Sequence, residues 1–240
     1  MIVWSQDEKL VLPLMLLSII AITLFLHLIL KNKSDRVRAI PLQVITSVIL
    51  VLEIIKQIRN IVIGFSPWAL PFHFCSMFVF FFPLAQFSKG KVRDTMKPVA
   101  FTAALAMFAL FYFNPGSIIS GSASDVFADF GSFHTFTFHH LIILYLFLSI
   151  AMKNYIPNKK DWLRVLIIMS IYYVIGVSLS HALDVNYCNF LTSNIPFMES
   201  LRLKAGQVVY TISMFFAIPC GTTLLSYLCY SFYRVINKES

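Results

Sequence analysis

The chain has 240 residues, of which 58% are hydrophobic and only 12% are charged, and its mean hydropathy is +0.78. A soluble domain carries about 25% charged residues, so this chain has too few polar side chains to cover a water-soluble globule. The net charge of +8 does not indicate nucleic-acid binding, because the basic residues lie in short gaps between apolar blocks and leave no soluble basic domain. The composition therefore predicts an all-α integral membrane protein.

Seven apolar blocks approach the length needed to cross ~30 Å of hydrocarbon as helices. Their residues do not alternate between polar and apolar, as the strands of a membrane β-barrel would. The first block lacks a basic leading segment and a cleavage site, so we expect a retained span rather than a signal peptide. We predict one transmembrane domain, residues 1–240, with seven helical spans at residues 10–30, 41–62, 69–87, 96–113, 134–152, 163–183 and 206–232.

The basic residues are divided unequally between the two sides of these spans. The loops after the first, third and fifth spans, together with the C-terminal tail, hold fourteen of the nineteen Lys and Arg residues. Cytoplasmic loops carry an excess of Lys and Arg, so we expect the N-terminus outside and the C-terminus inside. The segment 114–133, rich in Asn, Gly and Ser, is predicted to be an outer loop.

The second predicted span carries polar side chains that are costly in hydrocarbon. At about 100° per residue, Glu53, Lys56, Gln57 and Asn60 share one face of a helix. Two explanations are open for this stripe. It contains a buried Glu53–Lys56 pair that holds the bundle together, or it lines a water-accessible cavity.

The third predicted span begins with two prolines, and Cys75 would lie in its second turn. A cysteine within a membrane is most often inert packing. His73 is two residues earlier, and in a regular helix its side chain would point away from Cys75. A base that activates this thiol must therefore come from another span.

The outer end of the fifth span supplies candidate bases in His134, His139 and His140. The two adjacent histidines point about 100° apart, so at most one of them need face a cavity. At 1.5 Å per residue, Cys75, His139 and Glu53 would all lie roughly 8–13 Å below the outer edge of the membrane. One site could therefore contain all three groups.

Two further polar residues are predicted at the same outer face, His181 at the end of the sixth span and Tyr210 at the start of the seventh. We count both, with His73 and His140, among the candidate cavity residues. The histidines lack an H-E-x-x-H or similar arrangement. The sequence therefore predicts neither a metal site nor a cofactor.

Four short motifs resemble those of a known family: Glu53 in Leu-Glu-Ile-Ile, the stretch Leu70-Pro71-Phe72-His73-Phe74-Cys75, the stretch His139-His140-Leu141-Ile142-Ile143, and Asn186-Tyr187. In order and spacing they resemble the bacterial YwaF-type integral membrane proteins. Those proteins are similar to eukaryotic seven-span cysteine acyltransferases that remodel ether phospholipids.

The resemblance implies a reaction and a location. Cys75 would be the nucleophile and His139 the base, with His134 as the second choice because a glycine is usual in the family where His140 stands here. The implied reaction transfers a fatty acyl chain between a phospholipid and a lysophospholipid through a thioester. The implied location is the bacterial plasma membrane, with membrane lipids as the partners.

Two other functions are compatible with the same residues. A small-solute transporter or permease subunit would use the stripe on the second span to line its path, although the chain shows no inverted repeat of the kind common in transporters. A receptor-like or scaffolding protein would need the stripe only for structure. The sequence leaves the oligomeric state undetermined.

Overall fold

The structure, a computed structural model, describes residues 6–113, 123–193 and 195–238. Over these ranges the chain is helical and no strand is present, in agreement with the predicted all-α class. Residues 114–122 of the predicted outer loop lie outside the described ranges. The helices are α1 (Gln6–Leu30), α2 (Asp35–Arg38), α3 (Ile40–Ile63), α4 (Phe78–Phe87), α5 (Gly90–Phe113), α6 (Phe130–Ala151), α7 (Asp161–Leu183), α8 (Pro196–Phe215) and α9 (Gly221–Lys238).

Six segments within the described ranges are long and apolar enough to cross a membrane. They are Val11–Leu30, Asp35–Ile63, Gly90–Phe111, Phe130–Ala151, Asp161–Leu183 and Pro196–Asn237. Large apolar side chains on their outward faces, such as Leu28 on α1 and Ile58 on α3, are exposed, as lipid-facing residues are. The prediction of a multi-span helical membrane protein is therefore confirmed.

The predicted third span differs from the structure. Only α4 is a regular helix there, and its 10 residues span about 15 Å at 1.5 Å per residue. Residues 70–77 form turns instead. Pro71 lacks a backbone N–H and disfavours helical geometry at the preceding residue, and Leu70 is extended, with ψ 150°. The prediction of one continuous helix over 69–87 is wrong for these residues.

Three of the basic loops meet at one end of the bundle. His27 at the end of α1 donates from Nδ1 to the carbonyl of Ala151 at 2.9 Å. Lys97 on α5 donates to the carbonyl of Asn154 at 2.7 Å, just after α6. These bonds bring the end of α1, the start of α5 and the turn after α6 together, and we call this region the basic end.

The last helical segment is interrupted at two positions. Gly206 has φ 86° and ψ 167°, a conformation that glycine adopts without the steric cost of a Cβ. The interruption coincides with the predicted start of the seventh span at residue 206. Further along, Phe216–Cys220 is a π-helical segment that contains Pro219, because proline cannot supply the regular helical hydrogen bond.

Two clusters of buried side chains hold the helices together. In the main core between α3, α4, α5 and α6, the rings of Phe82 and Tyr145 stack with their centroids 3.7 Å apart. The second cluster packs the loop after α7 against α7 and α8, and its centre is formed by Tyr187, Phe190 and Tyr210. The second cluster fixes the position of the loop that reaches the candidate site.

Gly176 on α7 is expected to tolerate no larger residue. A Cβ there would lie 2.6 Å from Cε2 of Phe190, and Phe190 is 1% exposed and has little room to move. Gly176→Ala should lower the free energy of unfolding by about 1–3 kcal/mol through overpacking. Thermal unfolding in detergent micelles measures the effect. Gly221→Ala is the control, because its Cβ would meet its nearest neighbour at an ordinary 3.9 Å. Equal melting temperatures for the two variants would contradict the prediction.

Candidate functional site

Residues 64–77, which connect α3 to α4, form an irregular segment around which several of the predicted residues meet. Its carbonyl groups are bound by side chains from three different parts of the chain. Gln57 donates to the carbonyl of Ala69 at 2.7 Å, Tyr172 on α7 donates to that of Phe72 at 2.8 Å, and Tyr187 donates to that of Pro67. An unpaired carbonyl in a membrane costs several kcal/mol, so these bonds make the irregular backbone stable.

The same segment is fixed at its start by Asn60 and further along by His73. The Asn60 amide donates to the carbonyl of Ser66 at 3.1 Å and accepts from the Ser66 N–H at 2.9 Å. His73 donates from Nε2 to the carbonyl of Trp68 at 3.0 Å, and its ring lies 5.1 Å from that of Tyr187. Both side chains therefore position the backbone that leads to Cys75.

The polar stripe of α3 is a cluster centred on Glu53, which is 5% exposed. Its Oε1 lies 2.8 Å from Nζ of Lys56 and accepts from Gln57 at 2.7 Å. Its Oε2 lies 3.7 Å from Nε2 of His134 on α6, which is beyond hydrogen-bond distance. Neither of these two atoms makes a hydrogen bond among the described residues. A water molecule could bridge them.

Cys75 lies in the irregular segment, and its thiol packs against the main core, with Sγ 3.9 Å from Oγ of Ser76. It lies within electrostatic range of Lys56 and Glu53. A thiol in such a place needs a base to become a thiolate, because burial in apolar surroundings stabilises the protonated form.

A second cysteine near the irregular segment was not among the predicted site residues. The Sγ of Cys188 lies 2.9 Å from the hydroxyl of Tyr172 and 3.4 Å from the carbonyl of Phe72. Burial raises the pKa of the Cys188 thiol to about 12. It therefore stays protonated at neutral pH, and its hydrogen bonds support the backbone next to Cys75.

His139 and His140 are both buried against Phe111 of α5, with ring centroids 5.7 Å and 5.1 Å away. Each donates from Nδ1 to a carbonyl of its own helix, that of Thr135 or Phe136, at 2.7 Å. Since a carbonyl can only accept, Nδ1 carries the proton and Nε2 is the basic nitrogen of the neutral ring. Both Nε2 atoms lack a hydrogen bond among the described residues, so each is able to accept a proton.

The start of α6, which positions His134, is fixed from two sides. Asp129 caps the helix by accepting from the backbone N–H groups of Gly131 and Ser132 at 2.6 Å and 3.1 Å. The Ser132 hydroxyl, followed by these two backbone bonds, lowers the pKa of Asp129. On α3, the guanidinium of Arg59 lies 4.7 Å from the ring centroid of Phe130. These contacts hold the first turn of α6 against the end of α3.

Two predicted candidates lie elsewhere. His181 is exposed in the last turn of α7. Tyr210 is buried and donates to the carbonyl of Asn189, within the second cluster of packed side chains. Tyr172 and Tyr187 contact the irregular segment in their place. The sequence signal for Tyr172 is a polar hydroxyl group within an apolar helix. Its partner, the carbonyl of Phe72, lies 100 residues earlier in the chain, so the sequence does not predict the contact.

An apolar groove runs along the outside of the bundle between α3 and α4, next to the polar cluster. Its volume is about 340 Å³, within the range of roughly 300–1,000 Å³ found for small-molecule sites. Apolar side chains of both helices form most of its wall, and Glu53 and Gln57 belong to the same wall. The lining residues are Leu50, Glu53, Ile54, Gln57, Ile58, Ile61, Pro71, Val79 and Phe80.

These features define a class of protein: a multi-span helical membrane protein with an irregular segment that contains a cysteine, and with a buried carboxylate–ammonium pair that an imidazole approaches. The chain matches the model of the TMEM164 family over residues 3–237, and it belongs to that family. No curated protein and no solved structure matches it.

Removal of Lys56 should destabilise the protein, because the buried carboxyl group of Glu53 would lose its cationic partner. Loss of one partner of a fully buried ion pair costs about 3–5 kcal/mol. The Lys56 side chain is 22% exposed, so we expect about 2–3 kcal/mol for Lys56→Met, since water partly screens the pair. Unfolding in detergent micelles measures the loss. The double variant Glu53→Gln/Lys56→Met should recover most of it, and a double variant less stable than Lys56→Met would contradict this explanation.

Proposed function

We propose that the protein is a membrane-embedded acyltransferase that moves a fatty acyl chain between a phospholipid and a lysophospholipid through a thioester on Cys75. The observation that carries the proposal is the position of Cys75. Its thiol lies within electrostatic range of the Glu53–Lys56 pair, and Glu53 forms part of the wall of an apolar groove to which Pro71 of the same irregular segment also belongs. The resemblance to YwaF-type proteins and to seven-span cysteine acyltransferases supports the same reaction.

We propose His139 as the base. Its Nδ1–H is bound to the carbonyl of Thr135, which leaves Nε2 to accept a proton. His134 is the second choice, supported by its approach to Glu53.

The reaction has two steps, each balanced in atoms and protons. His139 takes the proton of Cys75, and the thiolate attacks the ester carbonyl of a phospholipid. The carbon–oxygen bond breaks, and the lysophospholipid leaves as an alcohol with the proton from His139. A second lysophospholipid then loses its hydroxyl proton to His139 and attacks the thioester, which restores the thiol.

The groove supports a lipid substrate. Ile58, Ile61 and Phe80 in its wall are exposed, so the groove is open towards the lipid along the side of the bundle. An acyl chain lying there would exchange contacts with lipid tails for contacts with the apolar wall, so it would be held by van der Waals packing. Glu53 and Gln57 at the same wall would be close to the polar ester end of the lipid.

The groups of the polar stripe bind one another and the irregular segment, which does not favour the transport hypothesis. Gln57 is occupied by Glu53 and Ala69, and Asn60 by Ser66. A transport path would need these groups to face water. Transport remains testable, because it predicts a dependence on Glu53 and none on Cys75.

We propose that residues 64–87 complete a seventh crossing, with the N-terminus outside and the C-terminus inside the cell membrane. The bonds at the basic end support this topology. Gln86 at the end of α4 donates to Oδ1 of Asn154 at 3.2 Å, whereas the start of the irregular segment is bound to the end of α3 through Asn60 and Ser66. The segment and α4 together therefore connect opposite ends of the bundle.

The proposed topology can be tested by labelling single introduced cysteines in intact cells. We expect a membrane-impermeant maleimide to label Lys9→Cys, which would lie outside, and not Lys33→Cys, which would lie inside. Both side chains are exposed in the structure, so access depends on the side of the membrane. The unmodified chain controls for labelling of its native cysteines, and labelling of Lys33→Cys before the cells are opened would overturn the topology.

The acyltransferase proposal is tested with the full chain reconstituted in liposomes that contain a phospholipid with a labelled acyl chain. Wild-type protein should acquire a label that neutral hydroxylamine releases, since it cleaves thioesters, and should pass it to added lysophospholipid. Cys75→Ser should lose both signals. His139→Gln should slow the transfer by about 10²–10⁴-fold, the usual contribution of a general base.

Two controls separate the reaction from loss of structure. Cys220→Ser changes a cysteine in the π-helical segment and should leave both signals unchanged. His134→Gln should slow transfer less than His139→Gln, and the reverse order would identify His134 as the base. Equal labelling of wild type and Cys75→Ser would refute the proposal. Solute accumulation that needs Glu53 but not Cys75 would instead establish transport.

A further inference from the structure

A cavity of about 430 Å³ lies at the basic end, and the proposed reaction does not use it. Four separate parts of the chain form its wall: α2 with the start of α3, the end of α4, the first turns of α5, and the turn after α6. The lining residues are Asp35, Arg36, Arg38, Ala39, Gln43, Ala85, Gln86, Arg93, Lys97, Met152, Lys153 and Asn154.

The charges of this wall are strongly unequal. Five lining residues are cationic and one is anionic, and the cationic ones are Arg36, Arg38, Arg93, Lys97 and Lys153. The single carboxylate, that of Asp35, is already paired with Arg38 through Nη2. The Nε of Arg38 is buried and makes no hydrogen bond among the described residues. The wall therefore has an excess of positive charge and an unused buried donor.

Some of these cations have N–H bonds that are not used within the protein, and a buried amide group lies next to them. Lys97 donates one of its three N–H bonds to the carbonyl of Asn154, which leaves two for a ligand. Arg93 has its nearest carboxylate, that of Asp94, at 3.8 Å, so most of its five donors are available to a ligand. Gln86 is buried and donates to Tyr145 at 2.5 Å and to Asn154. The wall thus combines rigid amide groups with cationic donors.

Basic loops at the inner end of a membrane protein are expected from topology alone. Such loops usually place their charges on a convex surface, where water and headgroups separate them. Here cations from three separate segments surround one concave space, and like charges brought together in this way repel. An anion bound between them would offset that repulsion.

We propose that this cavity binds a phosphate group. Arginine donors match phosphate oxygens in pairs, and lysine adds a compact charge. Two sources have this chemistry: the headgroup of an anionic phospholipid, and a soluble phosphate compound. The site lies at the opposite end of the bundle from the irregular segment, so it can exist whether or not Cys75 forms a thioester.

Binding is measured by calorimetry on the purified full chain in a neutral detergent, at constant ionic strength. One probe is inorganic phosphate, and the other is dihexanoyl phosphatidylglycerol, whose short chains keep it soluble. The test variant is Arg36→Gln/Arg93→Gln, which removes two exposed cavity cations. We expect its affinity for the binding probe to fall at least about tenfold, as the loss of charge-assisted hydrogen bonds requires.

The matched control is Lys89→Gln/Lys91→Gln, which removes the same net charge at exposed positions around the start of α5 that lie outside the cavity wall. Its affinity should stay within about twofold of wild type, since only screened surface charge is lost. Binding of phosphate alone would identify a soluble ligand, and binding of the lipid alone would identify a headgroup. Failure of both probes to bind, or equal weakening in both double variants, would overturn the proposal.

Discussion

The arrangement of this protein depends on hydrogen bonds to the carbonyl groups of the irregular segment 64–77. A chain that leaves the helix inside an apolar bundle exposes carbonyls that no water can reach, and each one costs several kcal/mol if it stays unpaired. Gln57, Tyr172 and Tyr187 supply the missing donors from three places. Because these donors are side chains on or next to long helices, the position of Cys75 follows from the packing of α3 and α7.

The polar cluster on α3 supports the irregular segment, and it also contains charged groups of the candidate site. Gln57 connects the two, since its amide donates both to Glu53 and to the carbonyl of Ala69. Glu53 is held by Lys56 on one side and approaches His134 on the other. A change in the charge of this cluster would therefore reach both the thiol and the backbone that positions it. The residues that support the irregular backbone are therefore in direct contact with those that set the charge of the candidate site.

Much of the fold follows from the sequence because helical spans are set by local hydrophobicity, and six of them have the expected places. The exception is the stretch around Pro67 and Pro71, where a count of apolar residues predicts a helix and the missing backbone donors prevent one. The i, i+3 pair of Glu53 and Lys56, which depends on one helix alone, is one of the two explanations that the sequence leaves open for the polar stripe, and the structure contains this pair. It does not predict that Tyr172 and Tyr187 reach the irregular segment, because those contacts depend on how distant helices pack. His181 illustrates the same limit. Its position at the end of a predicted span places it near the outer face of the membrane, but it does not bring the side chain to the candidate site.

The distance along the chain between donors and acceptors also sets the order in which the site can form. Tyr172 lies 100 residues after Phe72, and Tyr187 lies 120 residues after Pro67. A ribosome adds about 5–20 residues per second, so roughly ten seconds pass before the irregular segment meets its last donor. Until then its carbonyls have no partner from α7 or from the loop that follows. A nascent chain that stops before α7 would contain Cys75, Glu53 and His139 without the bonds that hold the segment, so the site is completed only after α7 and the loop that follows it have been synthesised.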